Sequence, residues 1–124
     1  MKIALSAETY REPDAYKTER QAIWAIEWIM FCTTAELTKP GDYYAGELAG
    51  FNLLLVVDPE GSIIGFHNVC PHRAGVLAWP GQGTLGNLVC KYHGWAFGWD
   101  GQLKSARDFG NDEPLCAEHS ELKK

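Results

Sequence analysis

Two cysteine–histidine pairs are the residues of this sequence whose types and spacing could do chemistry. Cys70 and His72 lie in the segment Cys-Pro-His-Arg-Ala-Gly, and Cys90 and His93 lie in Cys-Lys-Tyr-His-Gly-Trp. Each segment offers one soft thiolate and one imidazole, and both are metal ligands. The interval 73–89 is long enough for a strand, a turn and a return strand, so the two segments can face each other as loop tips.

Three hypotheses account for these pairs. Both cysteines could be buried as small apolar residues with no ligand role. A structural zinc ion takes two cysteines and two histidines, but zinc sites commonly group the cysteines together and the histidines together. In a Rieske 2Fe–2S cluster, two cysteines bind one iron and two histidines bind the other, so each loop can span both irons. The alternating order favours the cluster, and zinc remains the alternative.

The surrounding residues closely resemble the paired Rieske motifs of aromatic-ring-hydroxylating oxygenase α-subunits. The resemblance covers residues 67–73 and 90–95, and it extends upstream to Pro40-Gly-Asp and downstream to Asp100-Gly-Gln-Leu. Residues 16–28 are loosely similar to the N-terminal helical region of the same family. The resemblance implies one Rieske-type 2Fe–2S cluster. Its implied ligands are Cys70, His72, Cys90 and His93.

Respiratory Rieske proteins differ from this sequence at informative positions. They carry an additional cysteine in each loop, joined as a disulfide, and a serine hydroxyl near a bridging sulfide. Gly75 and Tyr92 stand at the two cysteine positions here, and Trp95 stands at the serine position. Hydrogen bonds to cluster sulfur raise the potential, so the loss of the hydroxyl predicts the lower end of the range of about −150 to +300 mV.

Three features depart from the resembled family. Ala74 replaces a usual glycine, and Lys91 replaces a frequent proline, which is expected to loosen the second loop. The family's α-subunits also continue into a catalytic domain whose iron is held by two histidines and one carboxylate. Only His67 and His119 remain after the four cluster ligands, and they form no ligand pair. We therefore expect no catalytic residue and no oxygen-activating site in this chain.

The elements that must position these loops are mainly short strands. Residues 16–32 are good helix formers without Gly or Pro, and Pro13 with Asp14 can begin the helix. Strands are predicted at 42–45, 52–57, 62–67, 95–99 and 102–104. Turns are predicted at 58–61, 80–83 and 100–101. The predicted fold is mainly β, a Rieske iron–sulfur fold in which an antiparallel β sandwich carries two cluster-binding loops and follows one N-terminal α-helix.

Composition limits what the chain can be. Its 124 residues suit one domain, and 46% hydrophobic residues exclude disorder. A net charge of −5 disfavours nucleic acid as a partner. The apolar stretch 22–32 contains Glu27 and is too short to span a membrane, and the N-terminus lacks a secretory signal, so we predict a cytoplasmic protein. The predicted bounds are an N-terminal extension and helix at 1–38, a Rieske domain at 39–112 and a polar tail at 113–124.

Other residues receive weaker interpretations. Apolar side chains surround the predicted helix, which favours an oligomer contact there. Cys32 is interpreted as a buried residue at the end of that helix, and His67 as a hydrogen-bonded residue at a strand end. Arg73 either positions the first loop or meets a carboxylate of a partner. Cys116 and His119 are assigned no role.

The sequence thus predicts a component of an oxidoreductase. It would accept single electrons from a reductase or ferredoxin and pass them to a mononuclear iron in an oxygenase catalytic domain, on a missing segment or another chain. Whether the chain is itself an enzyme stays open, because the catalytic iron site is absent. A freestanding Rieske ferredoxin is the alternative within redox chemistry. A zinc-stabilised binding module is the alternative from a different class.

Overall fold

The computed structural model describes residues 5–106 and 120–124. The chain divides into two compact units, Met1–Phe31 and Cys32–Lys124. The first unit contains a 3-10 turn and one α-helix, α1, at Pro13–Glu19, which continues as a π-helical turn at Arg20–Trp24. Pro13 begins α1 as predicted, because the first helical position needs no backbone N–H donor.

The prediction that the helix continues to Cys32 was wrong. The backbone leaves helical geometry after the turn at Arg20–Trp24, and Cys32 is a half-buried residue in a segment without regular structure. No residue of α1 or of the π-helical turn is buried, so packing does not extend the helix. Aromatic and β-branched residues such as Trp24 and Ile26 also have lower helix propensity than straight-chain residues.

The described residues of the second unit form seven strands in two antiparallel sheets. The first sheet has the order β3-β2-β1-β4 and the second has the order β5-β6-β7. The strands are β1 Asp42–Leu48, β2 Phe51–Val57, β3 Ile63–His67, β4 Gly81–Thr84, β5 Leu88–Val89, β6 Ala96–Phe97 and β7 Leu103–Ser105. The predicted fold class, mainly antiparallel β with one N-terminal helix, is therefore confirmed.

The β2–β3 hairpin brings the chain to the first cysteine–histidine pair. Its turn closes through the bond from the Gly61 N–H to the Asp58 carbonyl at 3.0 Å, as predicted for residues 58–61. The two strands pair in register from Val57 opposite Ile63 to Leu53 opposite His67. The hairpin therefore ends directly before the first ligand-bearing segment.

The turn predicted at residues 80–83 is instead an edge strand. Gly81–Thr84 pairs with β1, where Gly83 lies opposite Tyr43. A methyl group on Gly83 would lie 2.9 Å from Cε1 of Tyr43, so the glycine makes room for an aromatic ring on the neighbouring strand. The same residue type that signals a turn serves close packing here.

The hairpin between β6 and β7 has a longer loop than the predicted two-residue turn at 100–101. The Gly98 N–H donates to the Gln102 carbonyl, and the Gly101 N–H donates to the Gly98 carbonyl, both at 2.8 Å. Residues 99–101 therefore form a three-residue loop. Gly101 takes a positive φ of 87° in it, as the third residue of such loops commonly does.

The described end of the chain pairs with both sheets. The Leu103 N–H donates to the Ser120 carbonyl, and the His67 N–H donates to the Lys123 carbonyl, both at 2.8 Å. Leu122 is buried in the core. The end of the segment predicted as a polar tail thus packs against β3 and β7. Cys116 and His119, which were predicted to have no role, lie outside the described residues.

The hydrophobic core includes both cysteines that are predicted as ligands. It is formed by buried residues of the two sheets and of the loops, among them Leu54, Phe66, Cys70, Leu77, Leu88, Cys90, Trp95 and Phe97. The thiols therefore lie in apolar surroundings, where an isolated negative charge is unfavourable unless a metal or hydrogen bonds compensate it.

Candidate metal centre

The four predicted ligands lie in two loops of the second unit. Loop 1, residues 68–80, connects β3 to β4, and loop 2, residues 90–95, connects β5 to β6. A buried cysteine lies at or near the start of each loop, with Cys70 at 1% and Cys90 at 3% exposure. His72 and His93 follow and are half-buried. Along each loop the cysteine is thus the inner residue and the histidine the outer one.

Loop 1 folds back on its cysteine. The Cys70 N–H donates to the Gly75 carbonyl at 2.7 Å, and the Cys70 carbonyl accepts from the Ala74 N–H at 2.9 Å. This tight turn places Ala74 at a φ of 55°, in the left-handed region that favours glycine. The unusual alanine noted in the sequence therefore occupies a position with a real backbone requirement.

Loop 2 repeats the same pattern of hydrogen bonds. The Cys90 N–H donates to the Trp95 carbonyl at 2.8 Å, and the Cys90 carbonyl accepts from the Gly94 N–H at 3.1 Å. Gly94 has a φ of 73° and corresponds to Ala74 of loop 1. The two loops thus present their cysteine and histidine on similar backbone turns.

The loops contact each other directly. The Lys91 N–H donates to the Val76 carbonyl at 2.8 Å, a bond that proline could not donate. The lysine that was expected to loosen loop 2 therefore ties it to loop 1. A methyl group on Gly75 would lie 2.8 Å from Sγ of Cys90 and 2.8 Å from Cβ of Tyr92. Positions 75 and 92 thus face each other, where respiratory Rieske proteins carry their extra cysteines.

The electrostatics of the thiols follow from their burial. The pKa of Cys70 is raised to about 11, chiefly by desolvation and also by the neighbouring Cys90, although the backbone N–H groups of His72 and Arg73 act in the opposite direction. The Tyr92 N–H lies 3.5 Å from Sγ of Cys90. Each sulfur therefore has backbone N–H donors nearby, and a bound metal would replace the thiol proton.

The two imidazoles lie side by side at the loop tips. Their ring centroids are 4.7 Å apart, and Nδ1 of each ring is buried. Nδ1 of His93 has no hydrogen-bond partner among the described residues. A buried ring nitrogen without a hydrogen bond lowers the stability of the folded protein by about 1–3 kcal/mol, and a bond to a metal would offset this cost. The His72 ring also stacks on Trp95 at 4.5 Å, whereas Tyr92, 63% exposed, lies against His93.

The four predicted ligand side chains form two neighbouring pairs, one of thiols and one of imidazoles. Across residues 5–106 and 120–124, no three or more His, Cys, Asp or Glu side chains are arranged to hold one metal ion. A tetrahedral zinc site needs such convergence. A Rieske cluster needs only two protein ligands on each of two irons.

Asn68 is a residue of this site that the sequence analysis missed. It is the one buried polar residue in the described part of the second unit, at 4% exposure, and its side chain bonds to Leu77 and Ala78 across loop 1. A polar residue between the apolar end of β3 and the first cysteine was the available signal. Its partners lie nine and ten residues further along the chain and carry no motif.

Two neighbours of the ligands have simpler surroundings. His67 ends β3 with its N–H bonded to Lys123, as expected of a strand-end residue, and its ring meets Phe51 edge-on at 6.1 Å. Burial, followed by the charge of Lys123, lowers the pKa of His67. Arg73 is exposed and forms no ion pair with any residue that the structure describes.

Comparison with known proteins agrees with this geometry. Residues 27–115 match the family model of the Rieske [2Fe-2S] domain. The chain belongs to the Rieske [2Fe-2S] domain family. A Rieske-type 2Fe–2S cluster is therefore the cofactor implied for this domain. The two buried thiols, the two half-buried imidazoles and the unsatisfied Nδ1 of His93 fit such a cluster.

Relatives of this Rieske domain are oxygenases. Choline monooxygenase from spinach is 39% identical over 78% of the chain and 22% of that protein. The structure of a quaternary ammonium Rieske monooxygenase, described with carnitine oxidation and inter-subunit electron transfer, is 32% identical with a TM-score of 0.83, covering 94% of this chain and 32% of that one. The structure of naphthalene 1,2-dioxygenase with bound indole is 31% identical with a TM-score of 0.75, covering 87% of this chain and 25% of that one.

These proteins confirm the resemblance to Rieske oxygenase α-subunits, which extends from an aromatic dioxygenase to quaternary ammonium monooxygenases. The chain spans less than a third of the length of each of these three proteins. None of the helices in the described part of the chain has the length and hydropathy that a bilayer crossing requires.

Proposed function

We propose that this Rieske domain accepts single electrons and passes them to a mononuclear non-haem iron that lies outside the chain. The observation that carries the proposal is the paired geometry of the loops. Two matched turns bring two buried thiols and two adjacent imidazoles to one place, in the two-and-two arrangement that a Rieske cluster uses. When bound, the cluster supplies one-electron redox chemistry.

We assign Cys70 and Cys90 to the inner iron and His72 and His93 to the outer iron. The burial gradient along each loop supports this assignment, because the thiols belong to the core while the imidazoles are half-buried. The thiolates would keep the inner side of the cluster away from water. The backbone N–H groups near each sulfur would stabilise the negative charge there.

The half-buried imidazoles form the edge through which electrons would arrive and leave. His72 and His93 lie next to each other at the loop tips, so an electron at this edge has the shortest route to a partner. The buried indole of Trp95 lies flat against His72 and limits water on its inner side. These residues hold and enclose the cluster, and none of them is assigned a catalytic role.

We propose an electron donor with an acidic docking surface, such as a reductase or ferredoxin. All acidic residues of the chain lie outside residues 61–99, where the only two charged residues other than histidine are Arg73 and Lys91. Both are exposed, each is adjacent to a cluster ligand, and neither forms an ion pair with a described residue. A net-negative chain with a cationic rim around its ligand loops favours steering of an acidic partner to that rim.

We place the electron acceptor on another segment or on another subunit. The relatives described above are about three times the length of this chain or longer, and one is described with inter-subunit electron transfer. Their names include choline monooxygenase and naphthalene dioxygenase, and in the described residues no three or more His, Cys, Asp or Glu side chains are arranged to hold one metal ion. The chain is therefore proposed as an oxidoreductase component, and its substrate is left unassigned.

Two smaller proposals concern the surroundings of the domain. Exposed apolar side chains at Ile26, Trp28 and Met30 support an oligomer contact made by the N-terminal unit. None of the described cysteines Cys32, Cys70 and Cys90 forms a disulfide, which supports a reducing compartment such as the cytoplasm.

Anaerobic reconstitution with iron and sulfide tests the ligand set and the cofactor together. We expect two irons per chain and a rhombic EPR signal on reduction. Cys70→Ser and Cys90→Ser should abolish the signal, while the matched control Cys32→Ser should retain it. A colourless protein with one zinc ion per chain would instead support the zinc-binding alternative.

The freestanding ferredoxin alternative differs only in the acceptor. The loaded, pre-reduced domain should be oxidised slowly by oxygen alone and should not consume a substrate. Rapid electron transfer to a separate, complete oxygenase would favour the carrier. Recovery of activity only after a catalytic segment is joined to this chain would favour the α-subunit role.

A further inference from the structure

Asn68 stands where the first sheet ends and loop 1 begins. It directly follows β3, and its N–H donates to the Asn52 carbonyl of β2 at 2.8 Å. Its side chain is almost completely buried, although asparagine is mostly an exposed residue type. The backbone of Asn68 is therefore fixed to the sheet, and its buried amide must find partners.

The amide finds those partners at the far end of loop 1. Oδ1 of Asn68 accepts from the Leu77 N–H at 2.9 Å and from the Ala78 N–H at 3.2 Å, and Nδ2 donates to the Ala78 carbonyl at 2.9 Å. Both lone pairs of Oδ1 and one N–H of Nδ2 are thus used within the protein. These three bonds, here termed the amide clamp, close the base of loop 1 around Cys70 and His72.

The segment held by the amide clamp, residues 75–78, is the part of loop 1 that contacts loop 2. Val76 directly precedes Leu77 and accepts the hydrogen bond from the Lys91 N–H. Gly75, one residue earlier, lies against Sγ of Cys90. The positions of Leu77 and Ala78 therefore determine where loop 2 and its sulfur lie relative to loop 1.

We propose that Asn68 is a positioning residue whose amide clamp sets the spacing of the two ligand loops and thereby tunes the reduction potential of the cluster. This inference rests on the electron-transfer function proposed above. It assigns Asn68 no contact with the cluster. The clamp acts through the backbone, because opening the base of loop 1 loosens the turn whose His72 and Arg73 N–H groups lie near Sγ of Cys70. Weaker N–H donation to sulfur lowers the potential.

Asn68→Ala in the cluster-loaded, full-length protein tests the proposal. We expect the ratio of reduced to oxidised protein at a fixed applied potential to fall about tenfold, which corresponds to about 59 mV for a one-electron couple. The g values of the reduced cluster should also shift. Redox titration followed by EPR measures both quantities on one sample.

A second measurement does not depend on the cluster signal. Hydrogen exchange followed by mass spectrometry should show at least tenfold faster exchange for peptides containing Leu77 and Ala78 in Asn68→Ala. Exchange of the Lys91 amide in loop 2 should become faster as well, although its hydrogen bond goes to Val76 and not to Asn68. Peptides from β2 should keep the wild-type rate.

Two controls separate positioning from general destabilisation. Val56→Ala removes core volume from β2 and should lower the melting temperature with no change in potential, g values or Lys91 exchange. Asn87→Ala removes the same side chain from an exposed position before β5 and should change none of these quantities. If Asn68→Ala does not fold, Asn68→Ser, which keeps one acceptor for a backbone N–H, should show the same changes to a smaller extent.

The results distinguish the two proposals. Wild-type potential, g values and Lys91 exchange in Asn68→Ala would overturn the positioning role, as would equal changes in Val56→Ala. If the wild-type protein takes up zinc and gives no Rieske signal, the electron-transfer proposal fails. The exchange rates at Lys91 then still decide whether the amide clamp couples the two loops.

Discussion

Loop 1 and loop 2 build the same ligand turn by different means. Each cysteine donates its N–H to a carbonyl five residues later and accepts at its own carbonyl from a residue four positions later. Loop 2 runs between two short paired strands, β5 and β6. Loop 1 is longer and runs between β3 and β4, which are not paired with each other, and the side-chain amide of Asn68 joins its two ends.

The two loops also differ at the residue with a positive φ. Loop 2 has glycine there, at Gly94, and loop 1 has alanine, at Ala74. An L-residue in this region costs roughly 1–2 kcal/mol relative to glycine. Loop 1 is therefore the more strained of two similar turns, and a buried side chain gives it added support.

The contact between the loops at Gly75 should show the largest effect when it is changed. Gly75→Ala places a methyl group 2.8 Å from Sγ of Cys90 and 2.8 Å from Cβ of Tyr92, so the loops must separate. We expect at least half of the bound iron to be lost, measured as iron per chain and as visible absorbance. Gly86→Ala, which meets no atom within 4 Å, is the matched control and should load iron normally.

Gly94→Ala makes loop 2 resemble loop 1. Because Gly94 has a φ of 73°, the added Cβ should lower the free energy of unfolding by about 1–2 kcal/mol. Urea denaturation of the loaded protein measures this change. A stability equal to wild type would mean that loop 2 tolerates the strain without loss, and that the glycine has no backbone role.

Ala74→Gly makes loop 1 resemble loop 2. Relief of the strained φ of 55° should raise the free energy of unfolding by about 1 kcal/mol, reduced in part by the greater freedom of glycine in the unfolded chain. The control Ala96→Gly lies in strand β6 and should instead destabilise the protein. If Ala74→Gly and Ala96→Gly lower the free energy of unfolding equally, the positive φ of Ala74 does not strain loop 1.

The sequence predicted the type of cofactor and the fold class better than the contacts that support the loops. Both predictions follow from motifs whose residue types and spacing are local, such as Cys70 with His72, and the four-residue ligand set stays a prediction. The role of Asn68 depends on partners nine and ten residues away, and that of Gly75 depends on Cys90 of the other loop. Such contacts exist only after the two sheets are assembled, and no local pattern encodes them.

The errors in the sequence analysis have the same origin. Residues 80–83 contain turn formers, but Gly83 serves the packing of Tyr43 on the adjacent strand. The segment after Trp24 contains helix formers, but none of the preceding helical residues is buried, so propensity alone does not continue the helix. In both cases tertiary packing, and not local propensity, determines the observed structure: contacts with β1 form the strand, and the lack of buried contacts ends the helix.

The charges at the loop tips should give the smallest effect. Arg73→Glu in loop 1 and Lys91→Glu in loop 2 reverse the exposed cation beside a ligand of each loop. We expect each to slow reduction of the loaded domain by dithionite, an anionic reductant, about threefold at low salt, with the difference lost at about 1 M salt. Stopped-flow absorbance measures the rate.

The same two variants indicate which loop meets the donor. Lys39→Glu changes the net charge equally at an exposed residue before β1 and should leave the rate near that of wild type. Equal slowing by Lys39→Glu would show that net charge, and not a rim around the ligands, controls the encounter. A larger effect at Arg73 than at Lys91 would mean that electrons arrive at the side of loop 1, the loop whose position the amide clamp sets.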